Sequence, residues 1–401
     1  MAPSNGTGPV VILEGARTPI GKFNGALSPF SGTDLGGMAI AAAVERAGVS
    51  PSDVDQVVMG HVLTAGEGQS GARNASVKGG MPLTVPAVTV NKVCLSGIQA
   101  INYAWMLIAT GQADVVVAGG MESMTNAPYL LPKGRHGYGY GHGQVTDSLL
   151  YDGLTCAIES MLMGESTDRY AATEHISRAA QDLYAANSHD RAAKAIKDGV
   201  FASEIAPVSI PQRKGDPVVF AEDEGVRPGT DADSLGTLRP VFVADGTVTA
   251  GNASQLSDGA SAMVLASAAA AERLGATPLA EIIAYGQVAG PDNCSLLRQP
   301  STAILSALDR AGMSVADIDL FEMNEAFSAV ALGAMEHLGV SDDVVNVNGG
   351  AIALGHPLGM SGNRITLHLA HELRRRGGGV GAAALCGGGG QGDAILIRVA
   401  G

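Results

Sequence analysis

The sequence predicts an α/β protein made of two related halves, the first interrupted by a long insertion. Three observations carry that expectation. Short β-branched runs alternate with Ala-rich helical stretches. A 21-residue segment recurs 264 positions further on. A strand pair joined by a short glycine turn near the C-terminus also has a counterpart in the first half, where about 130 residues separate the two strands.

In chain order, residues 10–13, 57–59, 85–90 and 115–118 read as buried strands. Residues 35–47 and 96–108 read as helices. Strands alternating with helices argue for layers around a largely parallel sheet. The repeat pairs AIAAAVERAGVSPSDVDQVVM (39–59) with AILSALDRAGMSVADIDLFEM (303–323), identical at ten of 21 positions. The matches run from a helix ending at Gly48 or Gly312, through a turn with Asp53 or Asp317, into a strand. Two unrelated Ala-rich helices would not stay alike through the turn. Ser96-Gly97 and Ser361-Gly362 recur at nearly the same offset, each opening a helix. The C-terminal AAALCGGGGQGDAILIRV matches DVVVAGG (114–120) and DGASAMVLAS (258–267), with the insertion between them. That insertion holds HGYGYGHG (136–143), a charged helical stretch (168–197) and a Pro-rich segment (207–240). It reads as a substrate-covering domain. The expected division is 1–122 with 253–277 for the first half, 123–252 for the insertion and 278–401 for the second half.

Composition narrows the function classes. With 46% apolar and 16% charged residues, a large core is available; 4% aromatics and 55 glycines mean that Ala, Val, Leu and Ile pack it closely. A net charge of -14 argues against nucleic acid as the partner. Four cysteines make no disulfide framework and point to a reducing compartment, here the cytoplasm. The first 15 residues lack a basic start and a long apolar run, so no signal peptide is expected. No run of about 18 apolar residues suits a membrane span.

Cys94, in TVNKVCLSG, falls where a strand gives way to a helix. Free N–H groups and the positive end of the helix dipole favour a thiolate there, although a small buried cysteine fits the local pattern equally. Cys386 precedes Gly387 to Gly390 at a strand end, which suits either an oxyanion site or a tight hairpin. His356, in GGAIALGHPLGMSG, stands just before the helix that is the repeat partner of the Cys94 helix. If the two helix starts meet about a pseudo-twofold, His356 can activate Cys94 with Cys386 nearby. Asn324, in NEAFS, could orient a water or a carbonyl, Glu325 could fix a loop or a neighbouring His, and both could be caps. Cys156 and Cys294 stand in no such motif.

These residues resemble the thiolases, and most nearly their bacterial acetyl-CoA acetyltransferase branch, over essentially the whole chain. The resemblance rests on ARTPIG (16–21), NKVCLSG (91–97), GGMESM (119–124), TAGNASQLSDGA (249–260), NEAF (324–327), GGAIALGHPLGMSG (349–362) and CGGGGQG (386–392). It implies a five-layer α-β-α-β-α core of two βαβαβαββ halves with a loop domain inserted in the first. It further implies that Cys94 is the nucleophile and His356 its activator and an oxyanion donor. Cys386 would be the acid/base, and Asn324 would hold the water of the first oxyanion hole. The backbone N–H groups of Cys94 and Gly388 would form the second hole. Ser254 would contact the pantetheine arm and Arg227 the nucleotide phosphates of coenzyme A. Met163 would lie beside the acyl pocket; many biosynthetic members carry His-Met-Gly where this chain has Leu162-Met163-Gly164.

The reaction so implied is the reversible condensation of two acetyl-CoA to acetoacetyl-CoA and CoA, with coenzyme A as substrate and product. No metal and no other cofactor is expected, and the resemblance implies a homodimer or homotetramer. Three other readings stay open at this level. The first is a degradative 3-ketoacyl-CoA thiolase for longer chains. The second is a ketoacyl synthase, which would need a second motif histidine. The third is a non-catalytic acyl-CoA- or lipid-binding protein.

Overall fold

The computed structural model describes residues 8–292 and 295–401, so Cys294 lies outside the described residues. Strands β1 (Val10–Arg17), β2 (Gln56–Gly60), β3 (Ala87–Val90), β4 (Val115–Ser123) and β5 (Ser257–Ser267) form the first half. They are ordered β1-β5-β4-β2-β3. Strands β6 (Ala280–Ala289), β7 (Leu320–Met323), β8 (Gly379–Gly387) and β9 (Gln391–Val399) repeat that order as β6-β9-β8-β7. A parallel bridge from Phe321 to Val345 stands where β3 stands in the first half. The halves join where β1 pairs with β6 at Val11↔Glu281 and Ile12↔Ala280.

Strand alternation decides the layering, because successive side chains face opposite sides of a sheet. Val58 and Val116 point into the central core, Val57 and Val117 into the outer one. The central layer is α2 (Ser96–Ala109) with its repeat partner α7 (Ser361–Arg375). Ile98, Ile101, Ile365 and Leu369 meet Ala383 and Ile395 of the second half there. Outside the first half lies α1 (Gly32–Ala47), and outside the second lie α5 (Gln299–Ala311) and α6 (Ser328–Leu338). Each such buried Ile or Leu contributes about 1.5–3 kcal/mol. The result is the five-layer order that the resemblance implies.

The repeated segment folds alike in both copies. Helix α1 ends at Gly48 with φ 64°, and α5 ends at Gly312 with φ 65°. These are left-handed C-caps that only glycine adopts without cost. Short 3₁₀ turns follow at Pro51–Asp53 and Val315–Asp317.

Three expectations need correction. The sheet is mixed: among the described strand pairs, only β2/β3, β2/β4 and β7/β8 are parallel. The others run antiparallel, because β8 returns directly as β9 and β5 returns beside β4 in the same way. The strand expected over 85–90 starts at Ala87, since Pro86 has no N–H for a ladder; its carbonyl accepts from Val57 N at 3.0 Å. The charged stretch 168–197 is two helices, α3 (Met163–Thr173) and α4 (Arg178–Lys197). His175 breaks them at φ 56°, and Ser177 caps the second by accepting from Ala180 N.

The insertion is tied to the core through Arg17, which is fully buried. Its guanidinium bonds Glu204 at 2.7 Å and Asp223 at 2.7 and 2.9 Å. The Gly/Tyr/His tract is irregular and mostly exposed. No helix of the described residues is long and apolar enough to cross a membrane.

Candidate active site

The starts of α2 and α7 touch, and the site is built where they do. A Cβ on Gly97 would lie 2.7 Å from the Gly359 carbonyl, and one on Gly362 2.5 Å from Ile98 N. Glycine at both positions is what allows the approach.

Cys94 sits in the tight turn between β3 and α2. The strand ends at Val90, and Val93 follows at φ 50°. A β-branched residue there costs about 1–3 kcal/mol and must be held by its surroundings. Asn91 Oδ1 accepts from Val93 N at 3.1 Å. Ser96 Oγ donates to Val93 O at 2.6 Å and accepts from Lys92 N at 2.9 Å. Lys92 Nζ is in turn fixed on Asp393 at 2.8 Å. The backbone N–H groups of Gly388 and of Cys94 itself lie near enough to the Cys94 sulfur to favour its charged form.

Cys386 closes β8, and the four glycines after it divide the work. Gly389 (φ 78°) and Gly390 (φ 65°) make the left-handed turn into β9. Gly387 leaves room for Leu95, whose Cγ would lie 2.6 Å from an added Cβ, and Gly388 lies under Val93. Of the alternatives open in the sequence, the hairpin turn is formed, and Gly388 also lies on the side of that turn facing Cys94.

His356 is buried beside α7. Its Nδ1 is 2.6 Å from Ser361 Oγ, and that hydroxyl donates its one proton to Pro357 O at 2.9 Å. Nδ1 therefore carries the ring hydrogen, and the lone pair is on Nε2. Asn324 Nδ2 lies 3.4 Å from that Nε2. Asn324 Oδ1 is buried with no hydrogen-bond partner among the described residues. Glu325 plays no part with a histidine here. It accepts from Tyr184 (3.0 Å), Ser188 (2.7 Å), Asn346 (3.1 Å) and Ile352 N (3.1 Å), pinning α4 to the second half.

Charge at the site is governed by burial. Burial pushes the Cys94 thiol up to about 12, against the nearby backbone N–H groups of Gly388 and Cys94. Burial, with Cys94 as neighbour, raises the Cys386 thiol as well. Burial and Arg364 bring His356 down to about 3. Desolvation thus opposes the helix start at Cys94, and the thiol shares its chamber with an imidazole that burial favours in the neutral form.

Cys94, Cys386, Gly388, His356, Ser254 and Met163 all line one inner chamber of about 60 Å³, walled by Leu154, Leu296, Phe327 and Leu358. An outer chamber of about 120 Å³ shares Met163, Ser254 and His356 and adds Leu162, Leu150 and Phe242. Arg227 is not among these linings, and it is exposed. Its loop is nonetheless anchored beside the site. Gln255 Nε2 donates to Gly225 O at 3.0 Å and also to Ile352 O and Ala353 O.

Sequence reasoning missed Ser361 as the partner of His356, although both lie in one quoted motif. It also assigned nothing to Glu122 and His61. Both are completely buried, 3.6 Å apart, and Glu122 is close enough to act on the Cys94 charge. Such pairs carry no local signature, because their partners are distant in the chain.

The family model for the thiolase N-terminal domain matches residues 10–269, and that for the thiolase C-terminal domain matches 276–399. A probable acetyl-CoA acetyltransferase of Mycolicibacterium smegmatis is 57% identical over 97% of this chain and 100% of the relative. The acetyl-CoA acetyltransferase of Cupriavidus necator is 49% identical over 97% of this chain and 99% of its own. The crystal structure of the Bacillus anthracis acetyl-CoA acetyltransferase superposes with a TM-score of 0.96 at 41% identity, covering 99% of this chain and 100% of that one. The duplicated halves, the paired helix starts and these full-length matches lead to one conclusion: the chain belongs to the thiolase family.

Proposed function

We propose that this protein is an acetyl-CoA C-acetyltransferase, joining two acetyl-CoA into acetoacetyl-CoA and CoA through an acetyl-cysteine. One observation carries the reading: two cysteines and a neutral histidine share a small apolar chamber, with Gly388 on its lining beside them.

In the first half-reaction His356 Nε2 takes the Cys94 proton, and the sulfur attacks the thioester carbonyl. The CoA thiolate leaves and is protonated by Cys386. The enzyme then holds acetyl-Cys94, a protonated His356 and a Cys386 thiolate. A second acetyl-CoA gives its α-proton to Cys386. The enolate oxygen is held by the His356 Nε2–H and a water on Asn324, and the enolate carbon attacks acetyl-Cys94. The N–H groups of Cys94 and Gly388 take the developing oxyanion, each such donor contributing about 3–4 kcal/mol. Cys94 leaves as thiolate and recovers its proton from His356, so every proton is accounted for. Ser254 and Met163 would line the path of the pantetheine arm, and Arg227 would meet the nucleotide phosphates. Coenzyme A is substrate and product, and no step calls for a metal or a further cofactor. The small inner chamber favours a two-carbon acyl group over a long one.

We also infer a homodimer. Strand β3 is an open edge, and Val88 on it with Tyr103 and Met106 on α2 leave an exposed apolar strip beside it.

The test separates the cysteines. Labelled acetyl incorporation and acetoacetyl-CoA formation are measured for Cys386→Ser and Cys94→Ser. Cys386→Ser should still take up acetyl while condensation falls about 10²-fold or more; Cys94→Ser should lose both. Condensation by Cys386→Ser near the wild-type rate would remove the base from this scheme. Faster turnover of longer 3-ketoacyl-CoA than of acetoacetyl-CoA would favour a degradative enzyme instead.

A further inference from the structure

Glu122, in β4, is fully buried and touches no chamber surface, yet it sits behind the nucleophile. Its carboxylate accepts three backbone N–H groups from two separate segments. Oε2 takes Val62 N at 3.2 Å and Gly359 N at 2.8 Å, and Oε1 takes Leu63 N at 3.0 Å. His61, 3.6 Å away, is equally buried. Gly359 lies midway between His356 and Ser361, in the turn that sets the imidazole. The carbonyl of that same residue is pressed on Gly97 of α2 and on Gly120 of β4. The His356 turn is therefore gripped from one side by the Cys94 helix and from the other by one carboxylate. A buried carboxylate is costly unless it is well satisfied, and here backbone donors around the active turn satisfy it.

We propose that Glu122 is a positioning residue: through Gly359 it fixes the His356 turn against the Cys94 helix, and through Val62 and Leu63 it joins that turn to the end of β2. The proposal rests on the acyl-transfer reading above, in which His356 must meet the Cys94 sulfur. A misplacement of about 1 Å at such a contact costs about 10²-fold in rate, whereas substrate binding in the outer chamber does not depend on it.

The experiment uses the intact protein with acetoacetyl-CoA and CoA. Glu122→Gln keeps the shape but turns an amide NH₂ toward one of the N–H donors. Glu122→Asp keeps the charge and withdraws both oxygens by one methylene. Expected for either folded variant is a kcat lowered about tenfold or more with KM within about twofold. Alkylation of Cys94 by iodoacetamide should slow in parallel. Ser361→Ala loosens the other side of His356, so the double variant Glu122→Gln/Ser361→Ala should lose less than the product of the single losses. A purely structural carboxylate would instead lower thermal stability and leave kcat per folded molecule intact, with multiplicative losses, and that result overturns the proposal. Failure of both variants to fold would equally assign Glu122 to the fold and overturn it. An inactive wild type would sink the acyl-transfer reading itself; an active wild type with unimpaired variants would sink only the role of Glu122.

Discussion

At Cys94 two local effects oppose each other. The start of α2 favours the thiolate, while partial enclosure disfavours it and pushes the half-buried thiol up to about 12. Proton transfer to His356 then becomes part of the first chemical step. The same burial gives His356 a pH signature. Its value is lowered from 6.5 to about 3, so between those values the unfolded chain binds a proton that the folded one does not. Stability from this group is therefore full above about pH 6.5 and is lost as pH falls toward 3. His356→Asn should remove that share: its urea midpoint should drop less between pH 7 and pH 5 than that of the wild type. Equal drops would place the proton elsewhere. For Arg227, Arg227→Ala should raise KM for CoA substrates with kcat nearly unchanged, because contact with a remote phosphate is uniform binding. Unchanged KM would mark it as a surface side chain. Among single residues, Cys94, Cys386 and His356 were legible because a thiol or imidazole beside glycines and a helix start is unusual. Ser361 and Glu122 were not, since a hydroxyl or a carboxylate acquires meaning only from the partner that the fold supplies.

Among the elements, the contact between α2 and α7 determines whether a site exists at all. Gly97→Ala would put a methyl carbon 2.7 Å from the Gly359 carbonyl and 2.9 Å from Asn363 N, both backbone atoms that cannot swing aside. A loss of about 1–3 kcal/mol is expected in chemical denaturation, with activity falling further than stability because the His356 turn must shift. A variant as stable and active as the wild type would show that the helix starts have slack. This meeting of helices was legible from the recurrence of Ser-Gly at nearly one offset. Strand directions were not: alternation of strand and helix suggests parallel neighbours, while the hairpin strands β5 and β9 reverse the rule in both halves. The break at His175 was hidden too, because neither Gly nor Pro marks it.

Across the whole molecule, the open edge at β3 is the clearest unfinished surface. Val88→Lys places a charge on that edge without touching the core and should shift sedimentation from dimer to monomer. An unaltered dimer would move the interface elsewhere. Duplication was legible at this scale because identities persisted through helix, turn and strand. The split hairpin has a further meaning for how the chain reaches this state. In the second half, β8 and β9 are joined by residues 388–390; in the first, β4 and β5 are separated by residues 124–256. Closing the longer loop costs about 3 kcal/mol more chain entropy, by the logarithm of its length. Two halves of the same architecture thus differ in the order of their assembly. The C-terminal pair can zip locally, while the N-terminal sheet waits for a strand from far along the chain. Amide protection during refolding should accordingly appear in β8 and β9 before β4 and β5, and the chamber, which needs both halves, should be completed last.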